Sequence, residues 1–353
     1  MTVSVKDVAA RAGVSVGTVS NVLNRPEKVN ETTARRVHDA IADLGFVRND
    51  AARQLREGRS RSIGLVVLDV ANPFFTDLAR GAENRAAENG LSVLLGNSDE
   101  NDEREKAYLE LFEEQRVHGV LISPRGEVDE SFERIRRRGT PIVLVDRDGT
   151  EHGLSSVALD DVAGGYLAVS HLIASGRRRI AFVGGPVSIR QVSDRLAGAR
   201  KAAAEHPEVT LDIILADSLS VLAGRAVGEE LRERPEGDRP DAVFAANDLL
   251  AIGILQALVM LGHVRVPEDI ALIGYDDISF SATAVIPLSS VRQPSELIGY
   301  TAVDLLMREA EQRGDYAPEH VVFQPELVVR ASTVSPEGGR EGAAAAEALP
   351  AAH

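Results

Sequence analysis

The sequence predicts an α/β protein of two doubly wound parallel-sheet lobes, preceded by a small all-α domain that contains a helix-turn-helix. Three observations carry this. From residue 62 onward, short continuous Val/Ile/Leu runs alternate with amphipathic helical stretches, the pattern of parallel strands covered by helices on both faces. Before residue 46, three short helical patterns follow one another closely, the first two joined at Gly13-Val14. Charge is also divided unevenly. The first 62 residues hold 11 Lys+Arg against 7 Asp+Glu, net +4, while the rest holds 28 against 47, net −19, within a total of −15. A basic head on an acidic body can rest one end on a phosphate backbone while the remainder is repelled, although a solvated basic face is the commoner meaning of such a count.

Length and composition narrow the field. A chain of 353 residues suits two or three domains, and 44% hydrophobic with 26% charged residues is an ordinary globular composition. With no Cys, the chain has no disulfide scaffold, no thiol catalysis and no Cys-ligated metal. The opening MTVSVKDVAA lacks a signal-peptide pattern, and no apolar stretch approaches the roughly 18 residues of a membrane span, so a cytoplasmic location is expected.

In the head, Ser4 precedes a helix whose inward face is Val5, Val8, Ala9 and Ala12, ended by Gly13. Ser15 offers a hydroxyl cap to a second short helix with Val19, Val22 and Leu23 inward. Asn30 caps a third, with Val37, Ile41 and Leu44 inward and Gly45 as its stop. This leaves Val16, Gly17, Ser20 and Asn21 off the core, on the half of the second helix that would enter a major groove. Asn21 suits an adenine edge, Val16 a thymine methyl, and Thr18 and Ser20 phosphates. The alternative is a three-helix domain whose polar residues merely face solvent. Asn49 or Asp50 can cap one more short helix over 50–57, followed by a Gly/Arg/Ser linker; so short a helix is marginal without support.

In the body, the runs 62–69, 91–96, 119–123, 142–146, 180–184, 212–216, 242–247 and 270–276 are the expected strands. Ligands of such sheets bind beyond the carboxyl ends of the strands. There stand Asn72-Pro73-Phe74-Phe75, Asp146-Arg147, Asn247-Asp248 and Asp276. Any one of these is most simply a turn former or helix cap, but together the carboxylates, amides, Arg and aromatics suit a neutral polyol with an apolar ring face. Asp146 and Asp276 could alternatively form the acid/base pair of a glycosidase. No G-x-G-x-x-G, Walker A, G-x-S-x-G or H-E-x-x-H sequence occurs, and the eight His are scattered, so neither an enzyme, a cofactor nor a metal is expected. A transport binding protein fits the lobes but leaves the head unexplained. The tail over 335–353, rich in Gly, Ala, Pro and Glu, is expected to be disordered.

Residues 3–24, VSVKDVAARAGVSVGTVSNVLN, resemble the N-terminal signature of the lactose/purine repressor family (LacI/GalR) of bacterial transcription regulators, and the likeness runs on to PELVVRAST at 325–333. Asn21 stands where that family often has Arg or His. The resemblance implies a headpiece over 1–48 that meets DNA through Ser4, Ser15, Val16, Gly17, Thr18, Ser20, Asn21 and Asn24. It implies a hinge helix and linker over 49–61 that orders on the operator through Asn49, Ala52, Arg53 and Leu55, with Leu55 as a minor-groove wedge. The body, 62–334, is similar to the periplasmic sugar-binding proteins. The likeness implies one lobe from 62–160 plus 292–323 and another from 161–291 plus 324–334. It places a ribose-type pocket on Asn72, Phe74, Phe75, Asp146, Arg147, Arg195, Asn247, Asp276 and Gln293, with Leu219 where an aromatic wall is expected. A homodimer on double-stranded operator DNA, released by a small sugar, is the implied mode of action, with corepression as the alternative.

Overall fold

The structure, a computed structural model, describes residues 3–46, 60–126, 128, 130–260, 264–312 and 316–334. It divides into two compact units, Met1–Ser60 and Arg61–His353. The hinge residues Asn49, Ala52, Arg53 and Leu55 and the tail 335–353 lie outside the described residues.

The first unit is built from α1 (Val5–Ala12), α2 (Val16–Asn24) and α3 (Glu31–Leu44). Each start is fixed by a side-chain cap. Ser4 and Asp7 form a reciprocal capping box, the Oγ of Ser15 accepts from the Thr18 amide at 3.0 Å, and Oδ1 of Asn30 accepts from the Thr33 amide at 2.8 Å. Gly13 and Gly45 end α1 and α3 with φ of 64° and 60°, the left-handed conformation that a side chain resists. Val8, Ala9, Ala12, Val19, Val22, Val37, Ala40 and Phe46 form the core. Val5, Leu23, Ile41 and Leu44, expected inward, are only half-buried, because three short helices cannot cover the ends of one another's apolar stripes. Arg36 donates through Nη2 to the carbonyls of Ala12 (2.6 Å) and Gly13 (3.3 Å), tying α3 to the end of α1.

The second unit contains two six-stranded sheets of the same strand order. The first runs β2 (Ser92–Asn97), β1 (Ser62–Val67), β3 (Val120–Ile122), β4 (Ile142–Val145), β5 (Ser155–Leu159) and β11 (His320–Phe323). The second runs β7 (Thr210–Leu215), β6 (Arg179–Gly184), β8 (Ala242–Ala245), β9 (Ala271–Asp276), β10 (Ser289–Arg292) and β12 (Glu326–Val328). All pairings are parallel except β10 with β12. The intervening helices are α4 (Pro73–Glu88), α5 (Asp102–Glu114), α6 (Glu130–Arg137), α7 (Asp161–Ala174), α8 (Arg190–Ala204), α9 (Val221–Glu233), α10 (Asp248–Met260), α11 (Ser279–Thr283) and α12 (Ser295–Glu311). The chain passes between the sheets after β5, after β10 and between β11 and β12.

Two departures from the sequence expectation have clear causes. The strands β5, β10, β11 and β12 were not among the expected runs, their apolar stretches being short and broken by Ser, His, Arg or Glu. Ser155, Ser156, Ser289 and Ser290 are buried in strands because their hydroxyls find partners: Ser289 donates to the Arg330 carbonyl, Ser290 to Asp248, and Ser156 pairs with Nδ1 of His320. The edge strands β2 and β7 are not covered on both faces, and Leu95 and Leu215 are 47% and 50% exposed.

The helix layers approach closely through paired glycines. A methyl group at Gly165 on α7 would lie 2.0 Å from the Arg195 carbonyl oxygen of α8, and one at Gly198 on α8 would lie 2.0 Å from the Val162 oxygen of α7. Gly81 with Gly299, and Gly224 with Gly253, do the same for α4–α12 and α9–α10. These contacts set the depth at which α8 carries Arg195.

The turn after β9 is held from beneath by Asp248, which is fully buried. Its carboxylate accepts from the Ile278 amide (2.9 Å), the Ser281 hydroxyl (2.6 Å) and the Ser290 hydroxyl (2.7 Å). Ser290 in turn accepts from the Asp277 amide at 3.0 Å, and Arg292 and Arg330 clamp the Asp277 carboxylate at 2.8 and 2.6 Å. This scaffold keeps Asp276 and Asp277 at φ of 103° and 53°, which costs on the order of 1–3 kcal/mol per residue unless over-determined. Burial, reinforced by the charge of Asp276, pushes Asp248 up to about 8.

Replacing Gly165 by Ala should destabilise the body by about 1–3 kcal/mol through the backbone clash, whereas Ala at Gly237, where nothing lies within 4 Å of the added atom, should change it by less than ~0.5 kcal/mol; urea unfolding of the full chain measures both. Because Asp248 binds its proton more tightly folded than unfolded, the body gains stability as pH falls and loses it as pH rises from about 4 to about 8. Thermal melts across this range should show that slope, and it should flatten in Asp248→Asn.

Candidate functional site

On the head, the exposed side of α2 presents Ser15, Val16, Gly17, Asn21 and Asn24, with Thr18 and Ser20 half-buried. Several of these already have partners. The hydroxyls of Ser15 and Thr18 meet at 2.9 Å, and the Asn24 amide donates to Ser20 O at 2.8 Å and Oγ at 3.3 Å. Ser4 donates its hydroxyl to Asp7 at 2.7 Å, an ionised carboxylate held below its usual range by that bond. Val16, 45% exposed, and Asn21, whose side-chain amide makes no hydrogen bond among the described residues, are therefore the groups on α2 with unoccupied reading edges. They lie five residues apart, about 140° from each other around the helix axis, and both off the buried stripe of Val19 and Val22.

In the body, a cleft opens where the carboxyl ends of the two sheets face one another. Asn72 caps α4, accepting from the Phe74 amide at 3.0 Å, while its Nδ2 reaches across to donate to Asp276 Oδ2 at 3.1 Å. This cap turns Phe74 and Phe75 into the cleft, edge to face with ring centres 5.0 Å apart. Asp146 follows β4 with φ of 57°, and that backbone lets its carbonyl and its Oδ2 accept from the same amide, Nε2 of Gln191, at 2.7 and 2.8 Å. Asn247 caps α10 through the Leu250 amide (2.9 Å) and donates to the Leu219 carbonyl (3.0 Å).

Arg195 lies at the base and is only 4% exposed. Its Nε donates to Asp161 at 2.7 Å, its Nη1 to the Ala246 carbonyl at 2.8 Å, and its guanidinium lies 3.7 Å over the Tyr275 ring, with Asp276 Oδ1 at 3.8 Å. Burial pushes Asp146, Asp161 and Asp276 all above the usual carboxylate range, and Arg195 works against that for each. For Asp146 burial acts first and the charge of Asp161 second.

The cavity so formed brings together Asn72, Phe74, Phe75, Asp146, Arg195, Leu219, Asn247 and Asp276. Two expected members stand off its wall. Arg147 donates to the Gly126 carbonyl at 2.6 Å and faces a neighbouring polar cavity, and Gln293 acts from behind, donating to Asp276 at 2.7 Å. Sequence reasoning missed Leu68, Asp69, Glu100, Ile189 and Gln191 on the wall. Asp69 and Glu100 follow β1 and β2, so the strand-end rule could have found them; Gln191, inside the first turn of α8, had no such signal.

The cavity is rich in acceptors. Asp69, Glu100, Asp146 and Asp276 line it against the single cation Arg195, and Oδ1 of Asp146, Oε1 of Gln191 and Oε1 of Gln293 are buried without a partner. A molecule that fits must bring hydrogen-bond donors, an apolar face for Phe74 and Phe75, and no negative charge. Among the described residues, no group of three or more His, Asp or Glu is placed to hold a metal ion, and no helix is long and apolar enough to cross a membrane.

Comparison with known proteins agrees with both halves. Residues 4–49 match the model for bacterial regulatory proteins of the lacI family, and residues 169–333 match a periplasmic binding protein-like domain. The transcriptional repressor PurR of Aliivibrio fischeri (strain MJ11) is 32% identical over 94% of this chain and 98% of its own length. The ribose operon repressor of Bacillus subtilis (strain 168) is 37% identical over 86% of this chain and 90% of its own. The crystal structure of the lac repressor dimer bound to operator and the anti-inducer ONPF superposes with a TM-score of 0.81 at 28% identity, over 95% of this chain and 100% of that one. With a helix-turn-helix head and a two-lobed ligand domain aligned over nearly their whole length to such relatives, the chain belongs to the lacI family of bacterial regulatory proteins and is a DNA-binding transcription regulator, not an enzyme.

Proposed function

We propose that this regulator is a repressor whose grip on its operator is set by a small, uncharged, ribose-like sugar bound between the two lobes. The observation that carries this reading is the set of partnerless acceptor oxygens, on Asp146, Gln191 and Gln293, in and behind an acid-rich wall beside the Phe74–Phe75 pair. Sugar hydroxyls supply donors to such oxygens, and the C–H face of the ring packs on the aromatic edge. A phosphorylated sugar would meet four carboxyls and one already engaged guanidinium. The likeness to a ribose operon repressor points the same way.

The functional units are the head over 1–48, a hinge over 49–61 and the ligand domain over 62–334. Operators read by paired heads are two-fold, so the working form is a homodimer. Apolar side chains left open on each lobe supply a surface for pairing: Leu94, Leu95 and Leu111 on one, Ile213, Leu215 and Leu222 on the other. On the head, Asn21 and Val16 read base edges, while the capping hydroxyls of Ser4 and Ser15 and the polar groups of Thr18, Ser20 and Asn24 lie at the backbone. Its site of action is the cytoplasm, where the operator is.

Control follows from the interlobe bonds. Asn72 to Asp276 and Gln191 to Asp146 hold the lobes together, and an entering sugar replaces the first with bonds of its own while Gln191 stays on Asp146, resetting the angle between lobes and so the spacing of the hinges. Sugar releases the operator. The coupling is reciprocal, typically about 1–3 kcal/mol.

Three measurements test this. Titrating selected operator DNA with the full chain should show ribose weakening the complex; no change in affinity with ribose, or ribose tightening it, would reject the effector or its sign. Asp276→Ala should abolish the ribose response, so that the operator affinity of the variant no longer changes when ribose is added. Asn21→Ala should cost about 1–3 kcal/mol on the selected operator and little on random duplex, measured by competition binding.

A further inference from the structure

A second cavity adjoins the ligand cavity and is larger. This second cavity is polar, walled by Arg147, Asp148 and His152 on one side and Asp161, Arg190 and Asp194 on the other. Only two residues face both spaces, Asp146 and Gln191. They are also hydrogen-bonded to each other twice, from the Gln191 amide to the Asp146 carbonyl and carboxylate. Gln191 is 5% exposed and carried on the first turn of α8, so the wall between the cavities is one side chain from one lobe pressed on one residue of the other.

We propose that Gln191 is a specificity-determining partition that limits the cleft to a single sugar ring. The inference rests on the reading that a sugar occupies the first cavity, and adds what bounds its length. The wall has the two properties such a partition needs. It is built from groups a ligand can replace, since the amide proton donors of Gln191 do for Asp146 what a sugar hydroxyl would do. It also leaves acceptors unused, Oε1 of Gln191 and Oδ1 of Asp146, so its removal creates no apolar void but a continuous acceptor-lined channel. Shortening Gln191 joins the first cavity to the second, and the second is walled by charged side chains of both signs, which donate to and accept from hydroxyls alike. A second ring would lie against Asp148, Arg190 and Asp194, outside the reach of Phe74 and Phe75.

Isothermal titration of the full-length dimer with D-ribose and with the disaccharide cellobiose tests this. The unmodified protein should bind ribose and show no measurable heat with cellobiose. Gln191→Ala should bind cellobiose at least tenfold more tightly than the unmodified protein does, while its ribose affinity falls several-fold through loss of the wall. Gln191→Asn, one methylene shorter and unable to span both Asp146 oxygens, should shift in the same direction and serves if the Ala variant does not fold. Ribose binding by both variants with no gain for cellobiose would overturn the partition while leaving the sugar reading intact. Cellobiose binding by the unmodified protein would also overturn it, and failure of that protein to bind either saccharide would reject both inferences together.

Discussion

The ligand domain is organised around one buried cation. Arg195 draws Asp161 at the start of α7, Asp276 at the end of β9, the Ala246 carbonyl after β8 and the Tyr275 ring toward a single guanidinium. Three carboxyls packed into low-dielectric surroundings could not all ionise without it, and a lone guanidinium there would be equally untenable. The geometry of the fork matters as much as the charge. A planar group that bonds one carboxylate, one carbonyl and one aromatic face at once fixes three elements relative to α8, which a lysine could not do. The depth of α8 is set in turn by the glycine crossing with α7, so a packing contact without any polar group decides where the charge sits.

Around this base the cleft is self-satisfied to a large degree. Asn72, Gln191 and Gln293 are amides that donate to carboxylates, occupying positions where a hydroxylated ligand would otherwise be required. What remains unmatched are acceptor oxygens, and these give the site its chemical preference: donors are welcomed and anions are refused.

How much of this was legible in the sequence varies with the physics involved. Caps are local, and Ser4, Ser15 and Asn30 announce their helices because a hydroxyl or amide two or three residues before an apolar stripe has one obvious use. The eight apolar strands were legible for the same reason. Strands β5 and β10 were not, since their buried serines are satisfied by His320, Asp248 and Arg330, residues from 40 to more than 160 positions away. The strand-end rule located most of the cleft, yet it could not tell that Arg147 turns toward Gly126, nor that Gln191 crosses to Asp146, because side-chain direction across two lobes is a property of the assembled fold. Asp248 reads as a cap next to Asn247 and proves to be the footing of a turn thirty residues on.

The interleaving of the two sheets has a practical side. Because the last helix and strand of one lobe, α12 and β11, arrive only after nearly all of the other has been made, no uninterrupted stretch of chain encodes either lobe. A fragment ending at residue 160 would expose the face of α4 that Gly299 occupies and leave β5 as a raw edge. The lobes must therefore be made together, and a stop codon anywhere before β11 removes part of both.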